Sequence, residues 1–344
     1  MAIFLNILFL VLGMFFLIKG ADFFVSGASV VAKRLKVPSM FIGLTIVALG
    51  TSLPELSVSI TSAISNNIDM SVANIVGSNL FNMLFILGLV AVFAPVTMDK
   101  TTNKIDFPFL IAITGVLFLF GLDTLLDGAE KNMLSRTESV LLIVLLVLYL
   151  SILIFNANRT HKRMVKQELY LNKKSLGENN EEQVKEEKTE KELKVWQIVL
   201  YLILGLAAVI FGGECVSTTA SYLAVKMGMS EALVGLTIVA FGTSLPELVT
   251  SVVAAKKGEN DLALGNVVGS SIMNISLILG SVGLIAQAPI SSVILTDMII
   301  LFVTTIIFVV CCLHKGKIGR GEGIFFMAMY IAYIAFAIVR NYCF

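Results

Sequence analysis

The sequence predicts an all-α polytopic membrane protein, with ten transmembrane helices as two inverted-topology repeats of five. Three observations predict it. Of 344 residues, 57% are hydrophobic and 14% charged, more apolar surface than a soluble fold hides, and the apolar residues fall in runs of roughly 20, the length that crosses a bilayer core. Basic residues gather in alternate polar breaks between these runs. A shift of 192 lays the second half on the first without a gap.

The apolar windows place spans at 3–27, 39–64, 70–94, 106–122, 138–156, 196–224, 231–255, 261–285, 290–313 and 322–342. The first starts without a basic leader or a small-residue cleavage site, so it reads as a membrane helix. With the N-terminus outside, Lys33, Arg34, Lys36, Lys100, Lys104, ten Lys/Arg between 159 and 194, Lys256, Lys257, Lys315, Lys317 and Arg320 all fall inside. Outside lie Lys131, Arg136, Lys226 and Arg340, while Lys19 lies within a span. This contrast predicts a multi-pass protein of the cell membrane with both termini outside, and dropping one helix from the count would scramble it. Residues 1–157 and 195–344 form the two repeats. The lysine- and glutamate-rich stretch 158–194 is expected to be a solvated cytoplasmic connector with transient helix.

Composition excludes several classes. A net charge of +1 leaves no basic footprint for nucleic acid. Cys215, Cys311, Cys312 and Cys343 have no zinc or redox spacing, and His161 and His314 sit in separate polar loops. No cofactor and no enzymatic chemistry are expected, since the helices with unusual residues carry no His, Cys or Asp partners.

Those unusual residues recur at the shift of 192. In 43–60 against 235–252, 14 of 18 positions are identical, and ANIVGSNLFNMLFILG (73–88) falls on GNVVGSSIMNISLILG (265–280). Each unit holds an odd number of spans, so the second copy threads the membrane in the opposite sense, as in transporters whose site lies at the midplane between halves. Glu55 and Glu247 fall near the middle of their spans, where an ionised carboxyl costs several kcal/mol unless something neutralises it. Pro54 and Pro246 lack the N–H a helix needs and displace the carbonyls of Gly50 and Gly242, so both segments should be kinked and face inward.

Helical spacing puts Thr51 with Glu55, Ser78 with Asn82, Thr243 with Glu247 and Ser270 with Asn274 on shared faces, with Ser52, Ser244 and Ser271 adjacent. All the donors are oxygens. Carboxylates, hydroxyls, amide oxygens and loosened carbonyls suit a hard cation, and Ca²⁺ accepts six to eight such ligands more readily than Mg²⁺. Two glutamates balance one Ca²⁺ in charge. Na⁺, of similar radius, would compete for the same oxygens. Close packing alone explains glycine, serine and threonine in membrane helices, but not paired glutamates beside prolines at repeat-related positions.

These residues resemble the sodium/calcium exchanger family of the cation/calcium antiporter superfamily, whose two repeats look like GTSLPEL followed by GNxxGSNxxN. Here they read GTSLPEL…ANIVGSNLFN and GTSLPEL…GNVVGSSIMN. The resemblance covers both halves and implies a central cluster of ion sites on the second, third, seventh and eighth helices, with the first and sixth sliding across it. It implies calcium ligation by Glu55 and Glu247 with backbone oxygens of Thr51 and Thr243. Sodium sites would use Ala48, Thr51 and Ser78 on one side and Ala240, Thr243, Ser270 and Ser271 on the other, with Ser52 and Ser244 lining the path and Asn82 at the centre. Asn274 departs from the aspartate that prokaryotic exchangers of known architecture carry, which leaves two carboxylates instead of three.

The expected function is therefore a secondary antiporter that exchanges Na⁺ for Ca²⁺ by alternating access. The rival within transport is a Ca²⁺/H⁺ or K⁺-influenced cation/Ca²⁺ exchanger, since glutamates carry protons and Asn274 weakens the sodium case. A channel would normally draw its filter from several subunits. Here one chain closes a pseudo-twofold site, so a monomer in the lipid bilayer is expected to function. Asp22 and Glu214, on the presumed sliding helices, read either as entry residues or as hydrated positions near a helix end.

Overall fold

Long apolar stretches with few breakers fold as long helices, and the glycine–serine–proline signals mark where those helices break. The computed structural model describes residues 2–65, 68–97, 102–126, 128, 130–177, 194–227 and 240–343. In chain order the helices are α1 (Ala2–Leu35), α2 (Ser39–Thr51), α3 (Leu53–Ile64), α4 (Ile68–Phe93), α5 (Phe107–Phe120) and α6 (Arg136–Gly177). They continue as α7 (Val195–Lys226), α8 (Ala240–Thr243), α9 (Leu245–Lys256), α10 (Asn260–Ile285), α11 (Ser292–Lys315) and α12 (Arg320–Cys343). The predicted span 231–255 lies outside the described residues as far as 239.

Among the described residues seven helices are long and apolar enough to cross a membrane, and α2 with α3 forms one further span bent by 45°. The bend is at Ser52 (φ −83°, ψ 6°), and Ser244 (φ −92°, ψ 7°) breaks α8 from α9 in the same way. Both sit in the bridge region, which ends one helix without reversing the chain. Pro54 and Pro246 then stand in the first turn of α3 and α9, where a missing N–H costs no helical bond. The proline thus starts a second helix instead of straining one continuous helix.

Two boundaries differ from the sequence-based expectation. α1 continues to Leu35, and α6 continues through the start of the expected connector to Gly177. A stretch rich in lysine, arginine and leucine is a good helix former in water, so a helix leaving the apolar layer has no reason to stop at its edge. Residues 178–193 of the connector lie outside the described residues.

α4 and α10 are the central spans. Of the residues across each, 78% are buried, against 22% for α7 and 11% for α12. Around them α2 packs on α10, α3 on α4, and α9 on α10, while α12 covers the end of α4 and α6 the end of α10. Gly43 and Gly265 let α2 and α10 touch backbone to backbone: a Cβ on Gly43 would stand 2.6 Å from Leu262 O, and one on Gly265 2.6 Å from Met40 O. α1 lies along α7 in similar contact, where a Cβ on Gly20 would meet Gly205 O at 2.8 Å and one on Gly212 would meet Gly13 O at 2.6 Å. Their outer faces present Phe9, Phe15, Ile203 and Phe211, as expected of lipid-facing surface.

Two short antiparallel pairs join loops far apart in sequence. β1 (Val96–Thr97) pairs with β4 (Lys317–Ile318), and β2 (Met133–Leu134) with β3 (Ala288–Pro289). Each joins a loop of one half to a loop of the other, so the halves are interleaved.

Candidate functional site

The breaks at Ser52 and Ser244 place each glutamate in the first turn of a helix, α3 packed on α4 and α9 packed on α10. Glu55 and Glu247 are both 0% exposed. Their hydrogen bonds are crossed between the halves: Ser244 Oγ donates to Glu55 Oε1 at 2.9 Å, and Ser52 Oγ donates to Glu247 Oε1 at 3.0 Å. Thr243 and Thr51 stand against the two carboxyl groups in the same crossed sense. The carboxyl groups are within electrostatic reach of each other. The other oxygen of each, Glu55 Oε2 and Glu247 Oε2, is buried without a hydrogen-bond partner among the described residues.

Neighbouring hydroxyls and amides extend this centre. Ser78 Oγ on α4 is 3.1 Å from Ser244 Oγ. Thr51 Oγ1 lies 3.0 Å from Asn266 Oδ1, 3.1 Å from Val47 O and 3.5 Å from Ser270 Oγ, which ties the end of α2 to α10. Asn266 Nδ2 donates to Ser251 Oγ at 2.9 Å, and Asn74 Nδ2 makes the repeat-related bond to Ser59 Oγ at 3.4 Å. Asn82 and Asn274 are fully buried. Both lie within π-helical turns, Phe81–Ile86 and Asn274–Leu279, which widen the helix locally and often mark functional positions.

Of the sequence candidates, Thr51, Ser52, Glu55, Ser78, Thr243, Ser244, Glu247 and Ser270 are linked by these contacts. Ser271 and Asn274 connect to α4 through Asn79, and Ala48 lies against Gly269 where α2 meets α10. Both polar atoms of the Asn82 side chain are buried without partners among the described residues. Ala240 opens α8. Asp22 and Glu214 are elsewhere: Asp22 pairs with Lys257 at 2.6 Å, and the exposed Glu214 accepts from Thr218 at 3.2 Å. The residues that sequence reasoning passed over are Asn79, Asn266 and Ser251. For the last two the signal was their recurrence at the shift of 192, as Asn74 and Ser59.

Chemically the cluster offers two carboxyl groups and otherwise neutral oxygen donors. Among the described residues no three His, Cys, Asp or Glu side chains gather as a zinc-type site requires. Burying an ionised carboxyl among a few neutral hydroxyls leaves much of its desolvation cost unmet, a cost that a hard cation held by the oxygens at hand would offset.

A family model described as sodium/calcium exchanger protein matches residues 5–155 and 197–339. The sodium/calcium exchanger MaX1 of Methanosarcina acetivorans is 33% identical over 353 residues, covering 96% of this chain and 97% of that protein. The inner membrane protein YrbG of Escherichia coli is 31% identical over 89% of each chain. Among solved structures, the sodium-calcium exchanger NCX_Mj soaked with 2.5 mM Na⁺ and 0.1 mM Ca²⁺ superposes with a TM-score of 0.79 at 29% identity, over 96% of this chain and 98% of that one.

Proposed function

The chain belongs to the sodium/calcium exchanger protein family, a family of multi-pass cation/Ca²⁺ antiporters, and on that premise we propose that it exchanges Na⁺ for Ca²⁺ by alternating access, with Ca²⁺ held between Glu55 and Glu247. The observation that carries this reading is the crossed pair of buried carboxyls, each bound by the other half's serine and each keeping one oxygen without a partner among the described residues. One Ca²⁺ neutralises the pair, and sodium ions taking the same oxygens neutralise it in turn. An empty, doubly charged site is the costly state to move past apolar helices. That cost couples the two fluxes. Neither ion's departure is followed by a change of access until the other has bound.

The candidate sodium ligands are those of the sequence: Ala48, Thr51 and Ser78, and Ala240, Thr243, Ser270 and Ser271, with Asn82 and Asn274 between them and Ser52 and Ser244 on the path. Ten spans in two inverted repeats, 1–157 and 195–344, fit the recurrence of breaks at Ser52 and Ser244 and of glycine contacts between α1 and α7. Those glycines hold α1 and α7 backbone to backbone, so the two helices would slide as one unit. The pairing of β1 with β4 and of β2 with β3 supports the sidedness, since the first pair joins two loops assigned inside and the second two assigned outside. Both termini are then outside, the connector 158–194 is cytoplasmic, and a monomer in the bilayer suffices. The chain acts as a carrier and not as an enzyme.

Flux in reconstituted vesicles tests this. A sodium gradient at clamped pH is expected to drive Ca²⁺ uptake, and a pH gradient without sodium is not. The second reading, Ca²⁺/H⁺ or K⁺-influenced exchange, is favoured by Asn274, which removes a carboxyl; uptake driven by a pH or potassium gradient alone would select it.

A further inference from the structure

Asn79 lies on α4, one residue beyond Ser78, and is fully buried. Its Nδ2 donates across to the backbone carbonyl of Ser271 on α10 at 3.2 Å. A peptide carbonyl only accepts, so this bond fixes which end of the Asn79 amide faces which way. Asn79 Oδ1 is thereby turned to Asn274, whose Nδ2 donates to it at 3.1 Å. That acceptor in turn fixes the Asn274 amide. Its nitrogen is engaged, and its Oδ1 is left buried without a partner among the described residues. Ser270, one turn earlier on the same face of α10, reaches Thr51, which is itself one turn before Glu55.

Among the described residues the relay exists on one side only. The gapless shift places Ser271 where the first half has Asn79, and the Ser271 hydroxyl bonds back to Val267 O of its own helix at 2.9 Å. Asn82, the repeat counterpart of Asn274, therefore has no such tether, and both its amide atoms are buried without partners among the described residues. Two asparagines at equivalent sequence positions are not equivalent in space: the Asn274 amide is oriented by Asn79, and the Asn82 amide has no counterpart of that bond among the described residues.

We propose that Asn79 is a positioning residue for the cation site: through its bond to Ser271 O it holds the Asn274 amide so that the carbonyl oxygen, the half a cation accepts, faces the site. The proposal rests on the site reading given under Proposed function. It also makes residues 79 and 274 one unit, because an acceptor fixed at 79 requires a donor at 274.

The test is a double-mutant cycle on the full chain with Asn79→Ala, Asn274→Ala and the double variant. Cation binding is read by Ca²⁺- and Na⁺-dependent thermal stabilisation of the purified protein, and by half-saturation in vesicle uptake. Each single variant is expected to weaken apparent cation affinity by about fivefold, the scale of one hydrogen bond, with the half-saturation concentration moving more than the maximal rate. The double variant is expected to bind no more weakly than Asn274→Ala, since Asn79 acts through Asn274. Affinity unchanged in Asn79→Ala, or additive losses in the double variant, overturns the proposal while leaving the site reading intact. A wild-type protein stabilised by neither Ca²⁺ nor Na⁺ removes the site reading, and this proposal with it. If Asn79→Ala does not fold, Asn79→Ser, the residue the second half carries at 271, takes its place with the same expected loss.

Discussion

Replacing Glu247 by glutamine isolates the charge of the site from its shape. The glutamine side chain has about the same volume, and its remaining oxygen still accepts from Ser52 Oγ, which lies 3.0 Å from Glu247 Oε1. Packing around the 0% exposed side chain is therefore kept. What is lost is one of two negative charges that balance a divalent cation, and at Oε2, which has no partner among the described residues, an acceptor becomes a donor. Removing one partner of a buried charge pair costs about 3–5 kcal/mol, and the same scale applies to a carboxyl that faces a bound cation. Converted to affinity, Ca²⁺ should bind about 150- to 5,000-fold more weakly. The assay is sodium-driven ⁴⁵Ca²⁺ uptake into vesicles, together with Ca²⁺-dependent thermal stabilisation of the purified variant. A folded Glu247→Gln protein whose uptake and stabilisation stay near wild type would refute the argument that this carboxyl is neutralised by the transported ion. Glu55→Gln is the internal control, since Glu55 has the mirror-related bond from Ser244.

Asn274→Asp puts a carboxyl against Asn79 Oδ1, where the amide now donates at 3.1 Å; the sodium titration of uptake is expected to change more than the calcium titration, and identical sodium curves would show that the departure from aspartate is silent. Gly265→Leu forces α2 and α10 apart where a Cβ alone would come within 2.6 Å of Met40 O, and should destabilise the protein by about 1–3 kcal/mol or more in detergent melting; an unchanged melt would mean the two helices are not in backbone contact. Lys257→Met removes the ion pair to Asp22 and the 2.7 Å bond to Ser26 that tie α1 to the end of α9. With Lys257 29% and Asp22 44% exposed the loss in overall stability should be below about 1 kcal/mol, while amide exchange near residues 22–29 quickens; unaltered exchange there would remove the tie. Deleting 165–190 cuts the C-terminal end of α6, on the side proposed to be cytoplasmic, and the connector beyond it, and sodium-driven uptake should persist in the folded protein; its complete loss would assign the connector more than a linking role.

The sequence alone sufficed for everything that depends on one residue meeting one solvent. A bilayer selects runs of apolar residues whatever their neighbours, so α1, α4, α6, α7, α10, α11 and α12 each contain or overlap a window read from composition. The repeat, being a property of letters, was equally legible, and with it the paired Glu55 and Glu247. Helix ends in water were less so. α6 passes the polarity boundary at 157 and runs to Gly177, because lysine and arginine carry a helix on as readily as they solvate a coil.

Tertiary structure alone decided which side chain meets which. Nothing in a linear pattern says that Ser52 bonds to Glu247 and not to its own neighbour Glu55, or that Asn79 reaches Ser271 and Asn274 across the two halves. The helices approach at the distance that Gly43 and Gly265 permit, and that approach converts local serines and asparagines into partners 195 residues away. Equal motifs also meet unequal surroundings, since a shift of 192 predicts the same neighbours for Asn82 and Asn274 while a single exchange, asparagine at 79 for serine at 271, gives the Asn274 amide a partner that Asn82 lacks among the described residues. Hydrogen-bond direction is set by the geometry of neighbours, and those neighbours exist only once the chain has folded.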